Sequence, residues 1–159
     1  MDNLFRHLHV EPELAIKFIA TFSRFEYALK STNYAKGGAS YVQPAWSRFA
    51  TEINASFIAL NDEDLKSSVA YLQENPPNVQ ARENGQLTFV PLEINSNNLP
   101  AQQIIEMVAT VRNNLFHGGK YCPEGENDEG RNTKLIEASL TILEACYQLD
   151  PEVKSSFER

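Results

Sequence analysis

The chain has 159 residues, 42% hydrophobic and 22% charged, with 21 acidic against 14 basic side chains and a net charge of −7. That size and balance fit one folded domain burying roughly 70% of its unfolded surface, and they exclude wholesale disorder or a miniprotein that needs disulfides to fold. The acidic balance also excludes a nucleic-acid-coating protein with a broad basic face, so any phosphate-handling site must be a local positive spot.

The two cysteines, Cys122 and Cys146, have no CxxC spacing and no His/Cys set around them, and read as reduced thiols, with Cys146 on a core helix face. The opening MDNLFRHLHVEPEL lacks a basic segment followed by a 7–15-residue apolar run, so no signal peptide is expected there. No stretch reaches the roughly 18–20 apolar residues of a membrane span, and a cytoplasmic protein is expected. His7 and His9 would make a metal pair only with further ligands, which the neighbouring sequence does not supply; neither a metal nor a cofactor is expected.

In chain order, Pro12 precedes a first helix predicted over Glu13 to Ser31, with Leu14, Ile16, Phe18, Ile19, Phe22, Phe25 and Leu29 as one broad buried stripe. Arg24 and Glu26 interrupt its C-terminal half. Asn33 to Pro44 reads as a loop broken at Lys36-Gly37-Gly38, without the GxxxxGK[ST] pattern of a phosphate-binding loop. Pro44 then opens a second helix to about Leu60, carried by Trp46, Phe49, Ile53, Phe57 and Leu60. Asn61-Asp62 caps a third, which runs through Tyr71-Leu72 and stops before Pro76-Pro77.

The period then changes. Gln80 to Arg82 and Gln86 to Val90 flank Glu83-Asn84-Gly85, which predicts a small β-hairpin near residues 79–94. Asn98-Leu99-Pro100 leads into a helix buried through Ile104, Ile105, Val108, Val111 and Leu115, terminated by Gly118. Pro123 to Gly130 reads as an acidic surface loop with Glu124, Glu126, Asp128 and Glu129. A last helix covers about Asn132 to Leu149, and Pro151 marks its end. The expected architecture is all-α: a single domain, residues 1–159, of four to five helices with one hairpin insert.

The stretch Ala101 to Tyr121, AQQIIEMVATVRNNLFHGGKY, carries the chemistry. Arginine offers a planar fork matched to phosphate oxygens, and histidine is the usual proton-transfer group near neutral pH. Asn113 and His117 are spaced i, i+4 and share a face, whereas Arg112 and His117 lie about 140° apart on an ideal helix. They converge only if the arginine wraps around the helix and the histidine swings out at the glycine break. A helix C-terminus repels anions, so Arg112, with Lys120, must supply the attraction for phosphate.

VRNNLFHGGK resembles the R-x4–6-H signature of the HEPN (higher eukaryotes and prokaryotes nucleotide-binding) superfamily, with Arg112, Asn113, His117 and Gly118 in the matching positions. FSRFEYALK in the first helix and the hairpin insert resemble a bacterial and plasmid-borne subgroup, and the likeness spans Leu14 to Leu149. The resemblance implies a HEPN-like helical bundle, homodimerisation through the motif helices, and metal-independent endoribonuclease activity in a composite cleft, as in toxins or phage-defence effectors. It implies that Arg112 holds the scissile phosphate, that His117 moves a proton, and that Asn113 orients the histidine or the substrate. Arg24 or Glu26 would supply the polar position of the first helix, and Lys120 and Asn114 would join them in substrate binding. The expected partners are RNA rather than DNA, a second copy of the chain, and an antitoxin or regulatory protein. The alternative is a non-catalytic HEPN dimer that binds a nucleotide or a partner protein. Gly119 stands where toxins silenced by AMP transfer carry a tyrosine, and the nearest tyrosine is Tyr121, so that modification is not expected.

Overall fold

The computed structural model describes residues 8–118 and 130–159. They form α1 (Pro12–Lys30), β1 (Ala35–Gly38), β2 (Tyr41–Pro44), α2 (Trp46–Ala59), α3 (Glu63–Glu74), β3 (Asn78–Glu83), β4 (Gln86–Pro91), α4 (Pro100–Phe116), α5 (Arg131–Tyr147) and α6 (Pro151–Glu158). The mainly helical class is as expected. The described residues, however, hold six helices and two antiparallel hairpins, not four to five helices and one hairpin.

Both additions have a physical reason. The stretch read as a loop before α2 pairs Ala35 with Pro44 through Gly38 with Tyr41. The Tyr34 carbonyl closes its base by accepting from the Ala45 N–H at 2.7 Å. Gly37, taken as a break, has φ +121°, and a Cβ there would collide with the Tyr41 carbonyl oxygen. Neither strand presents a buried face, so no apolar alternation reveals it. Pro44 therefore ends a strand, and α2 begins at Trp46. Pro151, expected to mark a helix end, instead opens α6. Asp150 caps that helix, its Oδ1 accepting from the N–H groups of Glu152 at 2.9 Å and Val153 at 3.0 Å. Asp-Pro is an N-cap followed by an N1 proline, a start signal as well as a stop.

The remaining elements follow their patterns. Asp62 caps α3 through a 2.8 Å bond from the Leu65 N–H. The β3–β4 hairpin pairs Asn78 with Pro91 through Glu83 with Gln86 around the Asn84-Gly85 turn. One buried cluster draws on every helix and includes Phe18, Phe25, Phe49, Leu72, Ile136 and Val153. Within it, α1 packs on α4, α5 and α6, α2 on α4, and α3 on α5. In α1 the buried set is Ala15, Phe18, Phe22, Phe25, Ala28 and Leu29. Ile16, assigned to that stripe, lies about 200° from Phe18 around the helix and is 63% exposed.

The motif helix is anchored at its start. The Asn54 side-chain oxygen accepts from the Ala101 N–H at 3.1 Å. Gln102 donates to the hydroxyls of Ser47 and Thr51, each at 3.0 Å, and accepts from the Leu99 N–H at 2.9 Å. These bonds satisfy first-turn donors and fix α4 against α2, which sets the height at which its far end meets α1. No described helix is long and apolar enough to cross a membrane.

Candidate functional site

Where α4 ends, it crosses the middle of α1. Arg112 reaches back across α1, its guanidinium carbon 4.8 Å from the centre of the Phe22 ring. One terminal nitrogen donates to Glu26 Oε1 at 3.1 Å and the other to Asn113 Oδ1 at 2.8 Å. The Arg112–Glu26 ion pair is partly shielded, with side chains 27% and 24% exposed. Phe22 and Glu26 are one helical turn apart, so α1 presents the ring and the carboxylate to the arginine together.

His117 is the residue after the last turn of α4. Its N–H donates to the Asn113 carbonyl at 2.8 Å. It has left helical geometry, with φ −96° and ψ 23°. Gly118 then takes φ +80°, a left-handed conformation that glycine adopts without strain and that turns the chain off the helix axis. The exposed imidazole meets the Phe116 ring edge-on at 5.3 Å between centroids. Arg112 and His117 line one pocket with Ile19, Phe22, Glu26 and Phe116, despite their offset around the helix. Its volume is about 200 Å³. That admits a phosphate-sized group and falls below the roughly 300–1,000 Å³ of ordinary small-molecule sites.

The other expected site residues separate. Asn113 is not in the pocket lining but contacts two residues that are: its side-chain oxygen accepts from Arg112, and its backbone carbonyl accepts from the His117 N–H. Asn114 points away: it is buried, 7% exposed, and its amide donates to the Asn78 carbonyl at 2.7 Å, tying α4 to β3. Glu26 joins the pocket, and Arg24 does not. They lie about 200° apart on α1, and Arg24 instead donates to the Phe157 carbonyl of α6 at 2.8 Å. Sequence reasoning passed over Phe22 as part of the site; its i, i+4 spacing to Glu26 was the available signal. Lys120, Gly119, Tyr121, Cys122, the acidic residues 124–129 and His7 lie outside the described residues.

Among the described residues, no three His, Cys, Asp or Glu side chains are grouped to hold a metal ion. Away from the pocket, the buried Cys146 thiol is pushed up to about 12 by desolvation. Burial also raises the Tyr34 phenol, helped by its 2.7 Å hydrogen bond to Asp150 Oδ2. Both read as core chemistry rather than catalytic chemistry. Comparison with protein-family models, curated proteins and solved structures gives no match for this chain.

Proposed function

We propose that the chain is a HEPN-type, metal-independent endoribonuclease that works as a homodimer, in the manner of a toxin or phage-defence effector. The observation carrying the proposal is the shared pocket of Arg112 and His117, a phosphate fork and a proton-transfer group at one helix end. In the reaction a 2′-hydroxyl gives up its proton and its oxygen attacks the adjacent phosphorus. The P–O5′ bond breaks, and the departing 5′-oxygen takes up a proton, leaving a 2′,3′-cyclic phosphate. One imidazole per subunit can accept a proton or donate one; two copies supply the base and the acid at once. Arg112 stabilises the charge that develops on the phosphoryl oxygens.

The dimer is supported by the small half-site and by its surroundings. Phe116, at the pocket rim, is 65% exposed, and Ile16, a turn before Ile19 on α1, is 63% exposed. Large apolar side chains left in water beside a site favour burial against a partner.

The test is cleavage of RNA by purified protein with EDTA present, with the ends analysed for cyclic phosphate. Arg112→Ala and His117→Ala are each expected to abolish cleavage; activity surviving in both removes the proposal. A second reading, a non-catalytic HEPN dimer binding a nucleotide or a partner protein, is favoured by one observation: Glu26 already neutralises Arg112. It predicts binding through the same pocket without RNA turnover.

A further inference from the structure

A cavity larger than the motif pocket lies elsewhere in the molecule. It is a groove of about 580 Å³ between the second half of α1 and the length of α6. Its volume falls within the roughly 300–1,000 Å³ typical of small-molecule sites. Two polar stripes face each other across it. From α1 and its C-cap come Arg24, Tyr27 and Ser31, spaced i, i+3, i+7; from α6 and its C-cap come Glu152, Ser155 and Arg159, spaced the same way. Each stripe lies along one helix face over about 10 Å.

We infer that this groove binds a nucleotide unit, with its phosphate on the Arg24 and Arg159 guanidinium groups and its base on the Tyr27 ring. Among the described residues the Arg24 side chain donates through Nε alone, to the Phe157 carbonyl at 2.8 Å, and Arg24 lines the groove. Arg159 donates to the Ser155 hydroxyl at 3.4 Å, its one hydrogen bond among the described residues. Guanidinium forks and serine hydroxyls are the usual donors for phosphate oxygens. Two cations on one groove are notable in a chain of net charge −7. Tyr27 is 55% exposed with the Arg24 guanidinium 5.7 Å from its ring centre, so the ring is held in place while still open to solvent. An aromatic face of this kind stacks any base.

Glu152 fixes the direction of the ligand. It sits two turns of α6 from Arg159, at the far end of the groove, where a carboxylate repels phosphate and accepts from a sugar hydroxyl or a base amine. A purely anionic ligand would leave that end unused. The groove is separate from the Arg112–His117 pocket, since Arg24 and Glu26 lie on opposite flanks of α1. The inference therefore does not depend on cleavage.

The test uses the full chain carrying His117→Ala, which removes turnover. Adenosine 5′-monophosphate, a 2′-O-methyl hexaribonucleotide and inorganic phosphate are titrated by calorimetry. Binding of the mononucleotide or of the oligonucleotide is expected to weaken about tenfold or more in Arg24→Gln/Arg159→Gln, and severalfold in Tyr27→Leu. Mononucleotide binding identifies a free nucleotide as the ligand, and binding of the oligonucleotide alone identifies an RNA strand. Because Arg24 also holds α6, Arg159→Gln is measured by itself and must weaken binding in the same direction. The inference is overturned if neither nucleotide ligand responds to the arginine changes, or if inorganic phosphate binds as well as the nucleotides and Tyr27→Leu has no effect.

Discussion

Replacing Glu26 by glutamine separates two roles that the Arg112–Glu26 contact could have. The carboxylate accepts from Arg112 at 3.1 Å, and the pair is about a quarter exposed. A glutamine oxygen can still accept that bond, and the Asn113 bond and the Phe22 ring remain. The stability loss should be small, about 0.5–1 kcal/mol, or a fall in Tm of roughly 1–4 °C for a chain of this size. The effect on ligand binding should be larger and opposite in sign. A phosphodiester on the open edge of the fork would lie roughly 6 Å from the carboxylate, two hydrogen-bond lengths across the guanidinium. At an effective dielectric of about 20 the repulsion is about 3 kcal/mol, and partial exposure reduces it to about 1–2 kcal/mol. Glu26→Gln should therefore bind an uncleavable 2′-O-methyl oligonucleotide roughly 5–30-fold more tightly. Fluorescence anisotropy at fixed ionic strength measures this, with Arg112→Ala as reference. If Glu26→Gln weakens binding as much as Arg112→Ala does, the carboxylate holds the arginine in its binding pose, and the reasoning that it masks the charge fails.

Asn114→Ala should cost about 1–2 kcal/mol in urea unfolding, because the Asn78 carbonyl loses its 2.7 Å donor. Any cleavage defect should vanish at temperatures where the variant is fully folded; a defect without destabilisation would make Asn114 a substrate ligand. Cys146 should resist thiol reagents in the native protein at pH 8, since burial pushes its thiol up to about 12. The sign for stability follows. The folded thiol holds its proton above the ordinary value of about 8.5, so this contribution is complete below that pH. It is lost as pH rises toward 12, by up to about 1.4 kcal/mol per unit. Denaturation midpoints that stay equally pH-dependent in Cys146→Ala would refute that assignment. If the chain dimerises as proposed, Phe116→Glu should leave the helical content unchanged and lower the mass to that of a monomer in sedimentation velocity; a dimeric mass kept by the variant would rule out a dimer contact on this face.

Much of the helical frame was legible because helices advertise themselves locally. The i, i+3, i+4 apolar steps of α1, α2 and α4, the Asp62 cap and the Asn84-Gly85 turn are short-range features, and the structure bears them out. The β1–β2 hairpin was not legible, since strands exposed on both faces leave no period in the sequence. The start of α6 was present in Asp150-Pro151 but carried two meanings, because proline ends one helix and begins another.

The site divides along the same line. Sequence alone determined that an arginine and a histidine stand five positions apart before a glycine break, since the identities and spacing are local facts. It could not determine whether a 140° offset closes into one pocket, which depends on a second helix. Tertiary packing decided that: α1 crosses α4 so that Phe22 carries the guanidinium and Glu26 pairs with it. Packing also sent Asn114 to the hairpin and Arg24 to α6, although each is a close neighbour in sequence of a pocket residue. A helix turns 100° per residue, so residues adjacent in sequence face different partners, and only the fold says which partner is there.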